Sequence, residues 1–271
     1  MLKSNSTTLQ KTKNITLSIQ FSLGGFSFCI SNTDTQKKVL FKDYPFKNLL
    51  NTPEELLESI KPIFNEDDNL QLEFTEVNVI HQNSLSTIVP EAFFNENLLS
   101  AYLNHTIKTL RTDFITFDDI PKITAKNVYI PYVNINNFLF QNFGEFNYQH
   151  HSTVLIDKLL SINTSDKKMM YVNIYKNTFD IVIIHNKKLV LSNSFSYLSK
   201  EDFIYYLLFV AEQNQLDTNQ FQLYFLGDVS KKSELYSITY KYIKNIQFLE
   251  SDNSIYRDLK LPTHSNFILL G

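Results

Sequence analysis

The stretch MYVNIYKNTFDIVI, residues 170–183, decides how this chain is built, because it matches an earlier stretch of the same sequence. Residues 17–30 read LSIQFSLGGFSFCI, and the two stretches align at a constant offset of 153 residues, which pairs Gln20 with Asn173. In both copies two alternating or apolar runs flank a short turn, which is the usual pattern of a β-hairpin. The sequence therefore predicts an internal duplication.

Each predicted hairpin continues into a third strand. We place the two-residue turns at Gly24-Gly25 and Asn177-Thr178, since glycine and asparagine tolerate the backbone angles of tight turns. The third strands follow as KKVLFKDYPF, residues 37–46, and KKLVLSNSFS, residues 187–196. Three strands are thus expected at the start of each half.

A helix and a further strand complete each repeat. Thr52 and Ser199 are hydroxyl residues followed three positions later by an acid, which is the N-cap pattern of a helix. The apolar runs that come next predict helices, and further strands are expected within residues 77–81 and 221–226. The β-β-β-α-β order therefore occurs twice, which predicts an α/β protein with two subdomains, each built on a mixed sheet.

The segment between the repeats predicts alternating helices and strands. We expect, in order, a helix at 97–110, a strand at 127–132, a helix at 133–143 that ends at Gly144, a strand at 145–151 and a helix capped by Ser152. The expected domains are a flexible leader over residues 1–14, a first subdomain over 15–151 and a second subdomain over 152–271.

The bulk composition narrows the classes of function. The chain has 271 residues, a formal charge of −3 and dispersed lysines, so no basic face of the kind that follows a nucleic-acid backbone is expected. Its one cysteine, Cys29, excludes an internal disulfide and lies in an apolar run that favours burial. The N-terminus lacks the apolar core of a secretory signal, and no stretch has the roughly 18–20 apolar residues that span a bilayer. We therefore expect a cytoplasmic protein.

Two tandem β-β-β-α-β units with further crossovers resemble the actin-like fold, an elaboration of the ribonuclease H-like sheet. The hairpin at residues 172–184 is similar to the one that opens the second domain in the bacterial actin homologues of pilus assembly and cell division. The arrangement is also similar to an uncharacterised bacterial family of unknown function with this fold. The resemblance implies an ATPase in which acids on the hairpins position metal-bound water and nearby glycines let backbone N–H groups reach the phosphates.

The positions that would carry this chemistry are altered in the present sequence. Gln20 and Asn173, both neutral amides, stand where the resemblance places the acids. Ser22 and Tyr175 stand where it places the glycines, and Gly227 is what remains of a later Gly-Gly pair. We therefore predict that catalytic turnover of ATP has been lost and that the chain uses no cofactor.

Two enzymatic alternatives use the same sheet. A residual nucleotide-binding ATPase or kinase would bind ATP and Mg²⁺ through non-standard residues, with Lys176 as a point charge for a phosphate beside Asn173 and Gly227. This alternative stays open. A ribonuclease H-type nuclease needs an acid on the first strand to hold its metal ions, and residues 17–28 contain none, so it is disfavoured.

The remaining polar residues predict no second site. His150 and His151 are adjacent on a predicted strand, so they point to opposite faces and cannot easily bind one metal ion. Asp180 is expected on the solvent face of its strand, and Ser152 is expected to cap a helix rather than act as a nucleophile. Solvated loops are expected to hold the acid pairs at residues 67–68 and 118–119.

Two aromatic runs suggest how the chain acts. FIYYLLFV, residues 203–210, and FLFQNF, residues 138–143, are apolar on nearly all sides, which favours burial in the core or against a partner. Core burial is the default expectation. By analogy with the fold, we predict a scaffold or adaptor that binds another protein and not nucleic acid, and homo-oligomers or filaments stay open.

Overall fold

The computed structural model describes residues 14–271, except for the side chain of residue 121. The predicted leader therefore lies outside the described residues apart from Asn14. The strands are β1 (Ile15–Ser22), β2 (Gly25–Asn32), β3 (Lys38–Pro45), β4 (Glu76–His81), β5 (Ser86–Pro90), β6 (Thr116–Ile120), β7 (Ala125–Tyr129), β8 (Asn147–His150), β9 (Met169–Ile174), β10 (Thr178–His185), β11 (Lys188–Ser196), β12 (Gln222–Gly227) and β13 (Asn245–Phe248). The α-helices are α1 (Pro53–Glu66), α2 (Leu99–Asn104), α3 (Val133–Phe143), α4 (His151–Ile162), α5 (Lys200–Gln213), α6 (Glu234–Tyr242), α7 (Ser254–Asp258) and α8 (Phe267–Leu270).

The chain divides into two compact units. Of the described residues, 14–83 together with 131–149 form the first unit, and 84–130 together with 150–271 form the second. Each unit is built on a five-stranded sheet. The subdomain boundary that the repeats predict at residues 151 and 152 stays a prediction.

The sheet of the first unit has the strand order β3-β2-β1-β4-β8. Strand β1 is antiparallel to β2 and parallel to β4, so a crossover containing α1 must connect β3 to β4. Leu17, Ile19 and Phe21 of β1 pack in one buried cluster with Leu56 of α1. Cys29 on β2 is fully buried, as predicted. The core therefore holds the first hairpin against the helix that follows it.

The second unit repeats this arrangement, with the strand order β11-β10-β9-β12-β13. Phe21 pairs with Phe26 in the first hairpin, and the residues 153 positions later, Ile174 and Phe179, pair in the second. Strand β9 is parallel to β12, just as β1 is parallel to β4. The predicted α/β fold with a duplicated β-β-β-α-β unit is confirmed.

Both hairpins turn one residue earlier than predicted. The turns lie at Leu23-Gly24 and Lys176-Asn177, not at Gly24-Gly25 and Asn177-Thr178. Neither Gly24 nor Gly25 adopts the positive φ on which the prediction relied. A Cβ at Gly25 would lie 3.2 Å from the carbonyl oxygen of Tyr44 on β3. Gly25 therefore permits close packing of two strands.

The predicted ends of three helices are confirmed. The hydroxyl of Thr52 accepts a hydrogen bond from the first turn of α1. Ser199 and Asp202 form a reciprocal capping box at the start of α5, because each side chain accepts from the other residue's backbone N–H. Helix α3 has the predicted bounds and ends at Gly144, which has a positive φ of 74°.

The segment between the repeats contains a sheet that was not predicted. Strands β5, β7 and β6 form an antiparallel three-stranded sheet in that order. The helix expected at 97–110 is reduced to a 3-10 turn at Glu96–Leu98 and the short α2. The strand expected at 127–132 is β7, which begins two residues earlier and ends at Tyr129. The β6 sequence TFDDI carries adjacent acids that mask the alternation of a strand.

The aromatic run in α5 has one buried and one exposed face. Phe203 and Leu207 are fully buried, whereas Tyr205 is 63% and Phe209 46% exposed. Phe140 of α3 is 60% exposed. Core burial is thus found on one side of these helices. Within residues 14–271, no helix has both the length and the hydrophobicity needed to cross a membrane.

Candidate functional site

The two candidate residues of the first hairpin form hydrogen bonds inside the first unit. The side-chain amide of Gln20 donates a hydrogen bond of 2.7 Å to Oε1 of Gln82, which follows β4. The hydroxyl of Ser22 accepts from the N–H of Gly24 over 3.1 Å. Gln20 therefore connects β1 to the residue after β4, and Ser22 stabilises the turn.

In the second hairpin the structure brings Asn173 and Tyr175 together. Asn173 is buried on β9, and its Nδ2 donates a hydrogen bond of 2.6 Å to the hydroxyl of Tyr175. That hydroxyl donates one of 2.9 Å to Oδ2 of Asp180 on β10. The tyrosine thus folds back from the turn and closes a chain of polar contacts across its own hairpin.

Asp180 is the centre of this buried polar cluster. It is only 3% exposed, so its predicted position on a solvent face was wrong. Ser194 of β11 donates a hydrogen bond of 2.5 Å to Oδ1, and Nε2 of His151 lies 3.1 Å from Oδ2. The prediction failed because β10 lies between two other strands and is covered on both faces. The unbroken apolar run after Asp180 was the available signal of that burial.

The protonation of Tyr175 follows from its surroundings. Burial, and next the negative charge of Asp180, raise the pKa of the Tyr175 phenol well above its ordinary value. The phenol therefore keeps its proton and donates a hydrogen bond to Asp180. Nε2 of His151 faces the same carboxylate, while its buried Nδ1 has no hydrogen-bond partner.

The last two candidates occupy different surroundings. Gly227, at the end of β12, has a φ of 80°, and a Cβ there would lie 2.2 Å from a main-chain oxygen of β9 and 2.7 Å from Oδ1 of Asn173. Its N–H donates a hydrogen bond of 2.9 Å to the carbonyl oxygen of His264. Lys176 lies exposed in the turn between β9 and β10. The structure therefore places Gly227 against Asn173, and Lys176 on the surface.

A second buried carboxylate, Asp118, was also expected in a solvated loop and is instead 8% exposed on β6. Its Oδ2 accepts hydrogen bonds from the N–H of His150, at 2.8 Å, and from the hydroxyl of Thr153, at 2.7 Å. Its Oδ1 accepts from the hydroxyl of Tyr129 over 3.0 Å. Burial raises the pKa of Asp118. Asp118 thus caps the N-terminus of α4 from a neighbouring strand.

The start of α4 corrects the prediction for Ser152. The helix begins at His151, and Nδ1 of His150 accepts from the N–H of Ser152 over 3.3 Å, so Ser152 is not the cap. Both histidines are buried, and their ring centroids lie 4.4 Å apart, so the prediction that they point to opposite faces of a strand was wrong. His150 contacts Asn127, whereas His151 contacts Asp180. Across residues 14–271, no group of three His, Cys, Asp or Glu side chains is placed to hold a metal ion.

Asp67 is a third buried carboxylate where a solvated loop residue was expected. It accepts hydrogen bonds from Nζ of Lys42, at 2.8 Å, and from the hydroxyl of Tyr44, at 2.5 Å. Burial opposes ionisation, but these bonds lower the pKa of Asp67. The group connects the end of α1 to β3 within the first unit. The neighbouring acids Asp68 and Asp119 are exposed, as predicted.

Two five-stranded sheets that each open with the same hairpin define the actin-like ATPase fold. A solved protein of Bacteroides thetaiotaomicron VPI-5482 with that fold and unknown function is 25% identical to this chain, with a TM-score of 0.80 over 92% of this chain and 94% of that chain. The present chain belongs to the family described as Protein of unknown function (DUF3822), whose sequence profile matches residues 4–246.

More distant solved structures share the fold alone. A chain of the PilM-PilN type IV pilus biogenesis complex is 13% identical, with a TM-score of 0.58 over 87% of this chain and 88% of that chain. The ethanolamine utilization protein EutJ from Carboxydothermus hydrogenoformans is 8% identical, with a TM-score of 0.51 over 94% and 87% of the two chains. Among curated proteins, none matches this sequence.

Proposed function

We propose that this chain is an actin-like protein that does not hydrolyse ATP and acts by binding another protein, as a scaffold or adaptor in the bacterial cytoplasm. The observation that carries the first part is the position of Tyr175. Its hydroxyl is held between Asn173 and Asp180, and its ring stands where the fold's ATPases are expected to have a glycine. A phosphate group that approached the backbone there would have to displace this side chain.

The residues around the hairpins do not fit a magnesium-bound triphosphate. Magnesium prefers anionic oxygen ligands, and Gln20 and Asn173 offer neutral amides that already bond to Gln82 and Tyr175. Asp180 is the carboxylate of the second hairpin, and its oxygens already face three polar side chains. These side chains therefore leave no anionic oxygen free to hold the metal of a bound nucleotide through the hairpins.

The protein-binding part rests on fold similarity and on exposed aromatic side chains. One structure with this fold is a chain of a complex between two proteins of type IV pilus biogenesis. In the present chain Tyr205 and Phe209 stack on the exposed face of α5, with ring centroids 6.2 Å apart. Exposed aromatic side chains are common anchors of protein interfaces. These features support binding of a partner protein.

Phosphate release from Mg-ATP tests the catalytic half of the proposal. We expect no release above the rate without protein. Lys176→Ala serves as the site variant and Lys231→Ala, another exposed lysine, as its matched control. Turnover that disappears in Lys176→Ala and persists in Lys231→Ala would favour the residual ATPase or kinase instead.

A further inference from the structure

A cleft of about 730 Å³ lies in the second unit, between strands β5 and β11. Strand β5 is at the edge of the three-stranded sheet, where its neighbour is β7. Strand β11 is at the edge of the five-stranded sheet, where its neighbour is β10. In the described sheets, each of these strands is therefore paired on one side.

The cleft is bounded by the edges of these strands rather than by their faces. Side chains of a strand alternate between the two faces of a sheet, so a cavity over one face would contact every second residue. Here the successive residues 189–194 of β11 line the cleft, and so do residues 84–88, which lead into β5 and include its first three residues. Such continuous contact is expected where the backbone edge itself faces the cavity.

The hydrogen bond of one backbone N–H group indicates that the outer edge of β11 is not paired with another strand. The N–H of Ser194 donates a hydrogen bond of 2.9 Å to Oδ1 of the adjacent Asn193. The Ser194 hydroxyl is directed elsewhere, to Asp180. In an antiparallel edge strand the N–H groups of alternate residues point away from the neighbouring strand. The N–H of Ser194 is thus satisfied by a local side chain, which an incoming strand can replace.

The other sheet edges carry features that oppose pairing with a further strand. Strand β3 contains Lys42, Asp43 and Pro45, and β6 contains Asp118 and Asp119. Strands β8 and β13 are each four residues long. Charges, prolines and short length are the usual protections of an edge strand. Strand β11 has nine residues and no charge after Lys188, whereas β5 is uncharged but has five residues and ends in Pro90. The unprotected edge of β11 borders the cleft.

We propose that this cleft binds an extended, uncharged segment of a partner protein, which adds a strand to the edge of β11. The proposal deepens the proposed function, since it rests on the chain acting through a protein partner. The strand edge selects an extended backbone. The described residues that line the cleft are all uncharged, and many carry hydroxyl groups. A charged side chain would therefore lose its hydration there without gaining an ionic partner among them.

A displayed library of random nine-residue peptides, matched to the length of β11, tests this proposal on the full chain. Selected peptides are expected to be uncharged, and N-methylation of alternate peptide bonds should abolish their binding. Val190→Lys places a charge in the cleft, and Val39→Lys is its matched control, because Val39 on β3 has the same exposure of 45%. We expect Val190→Lys to weaken Kd by about tenfold or more, as a charge buried without a partner should. Val39→Lys should leave Kd unchanged.

Several results would overturn the cleft assignment. The assignment is wrong if no peptide binds, if both lysine variants weaken peptide binding equally, or if the peptides still bind after N-methylation. If Val190→Lys fails to fold, judged by its circular dichroism melt, Asn193→Lys takes its place, since Asn193 is exposed on the same edge. A wild-type dimer that Val190→Lys dissociates would show that a second copy occupies the cleft. Peptides that bind elsewhere would refute the cleft and leave the proposed function standing, whereas ATP turnover would refute only the non-catalytic part of that function.

Discussion

The hydroxyl of Tyr175 donates a hydrogen bond of 2.9 Å to Oδ2 of Asp180. It also accepts one of 2.6 Å from Asn173, so a single phenol satisfies a buried amide and a buried carboxylate. Removal of a hydrogen-bond partner from buried polar groups costs their desolvation energy. The tyrosine therefore contributes to the stability of the hairpin where the resemblance implies a glycine that contacts phosphate.

Tyr175→Phe should lower the free energy of unfolding by about 1–3 kcal/mol, because it leaves Asn173 and Asp180 each without one partner. Urea denaturation measures the change. Tyr240→Phe is the matched control, since Tyr240 is 64% exposed and its change should have little effect. Equal stability of the two variants would mean that the phenol does not support the cluster.

Gly227→Ala should destabilise the chain more than Gly144→Ala. Both glycines have positive φ, so both variants incur the strain of a left-handed backbone, about 1 kcal/mol or more. At Gly227 the new Cβ would also lie 2.2 Å from a main-chain oxygen of β9, whereas at Gly144 no atom lies within 4 Å. The difference between the two melting temperatures isolates this contact. Similar losses in both variants would contradict the close packing of β12 on β9.

His81 should make the stability of the chain depend on pH. It is fully buried, Nδ1 accepts from the N–H of Tyr132 at 3.1 Å, and Nε2 lies 2.9 Å from Oδ1 of Asn136. Burial lowers the pKa of His81 to about 3, from 6.5. The unfolded chain therefore binds a proton below about pH 6.5 that the folded chain does not accept until about pH 3. Stability from this group is complete above pH 6.5 and is lost as the pH falls, by about 1.4 kcal/mol per unit.

Urea denaturation across the mildly acidic range measures that slope. His81→Gln should reduce the slope by about 1.4 kcal/mol per pH unit, whatever its effect on stability at neutral pH. His105→Gln, at an exposed histidine, is the matched control for the substitution itself. His264, whose pKa is also lowered by burial, contributes in the same direction in both variants. An unchanged slope in His81→Gln would contradict a neutral buried His81.

The repeat was predictable because its signals are local. The alternating runs beside each turn, and the acids that follow Thr52 and Ser199, act within a few residues of one another. The constant offset that pairs Gln20 with Asn173 is also visible in the sequence alone, and it identifies the equivalent positions of the two hairpins. The turn positions were wrong by one residue because Gly25 serves strand packing and not a special backbone angle.

The buried polar clusters were not predictable from local pattern. Asp180 has the spacing of a solvent-facing strand residue and Asp118 lies in a predicted polar loop, whereas the burial of both depends on which strands and helices cover them. Each also has a partner that is distant in sequence: His151 for the first and Thr153 for the second. The three-stranded sheet that carries Asp118 was missed because its strands are short and interrupted by polar residues. Pairing between segments, rather than propensity, stabilises such strands.

The most direct test of the account is a thermal melt of the purified chain with and without Mg-ATP, ADP or GTP at millimolar concentration. A ligand present at a hundredfold excess over its Kd would stabilise the folded chain by about 2.7 kcal/mol, which a melt detects easily. The account predicts no shift with any of the three nucleotides. A clear shift that Lys176→Ala removes would contradict it, because the hairpin would then still bind phosphate beside Tyr175.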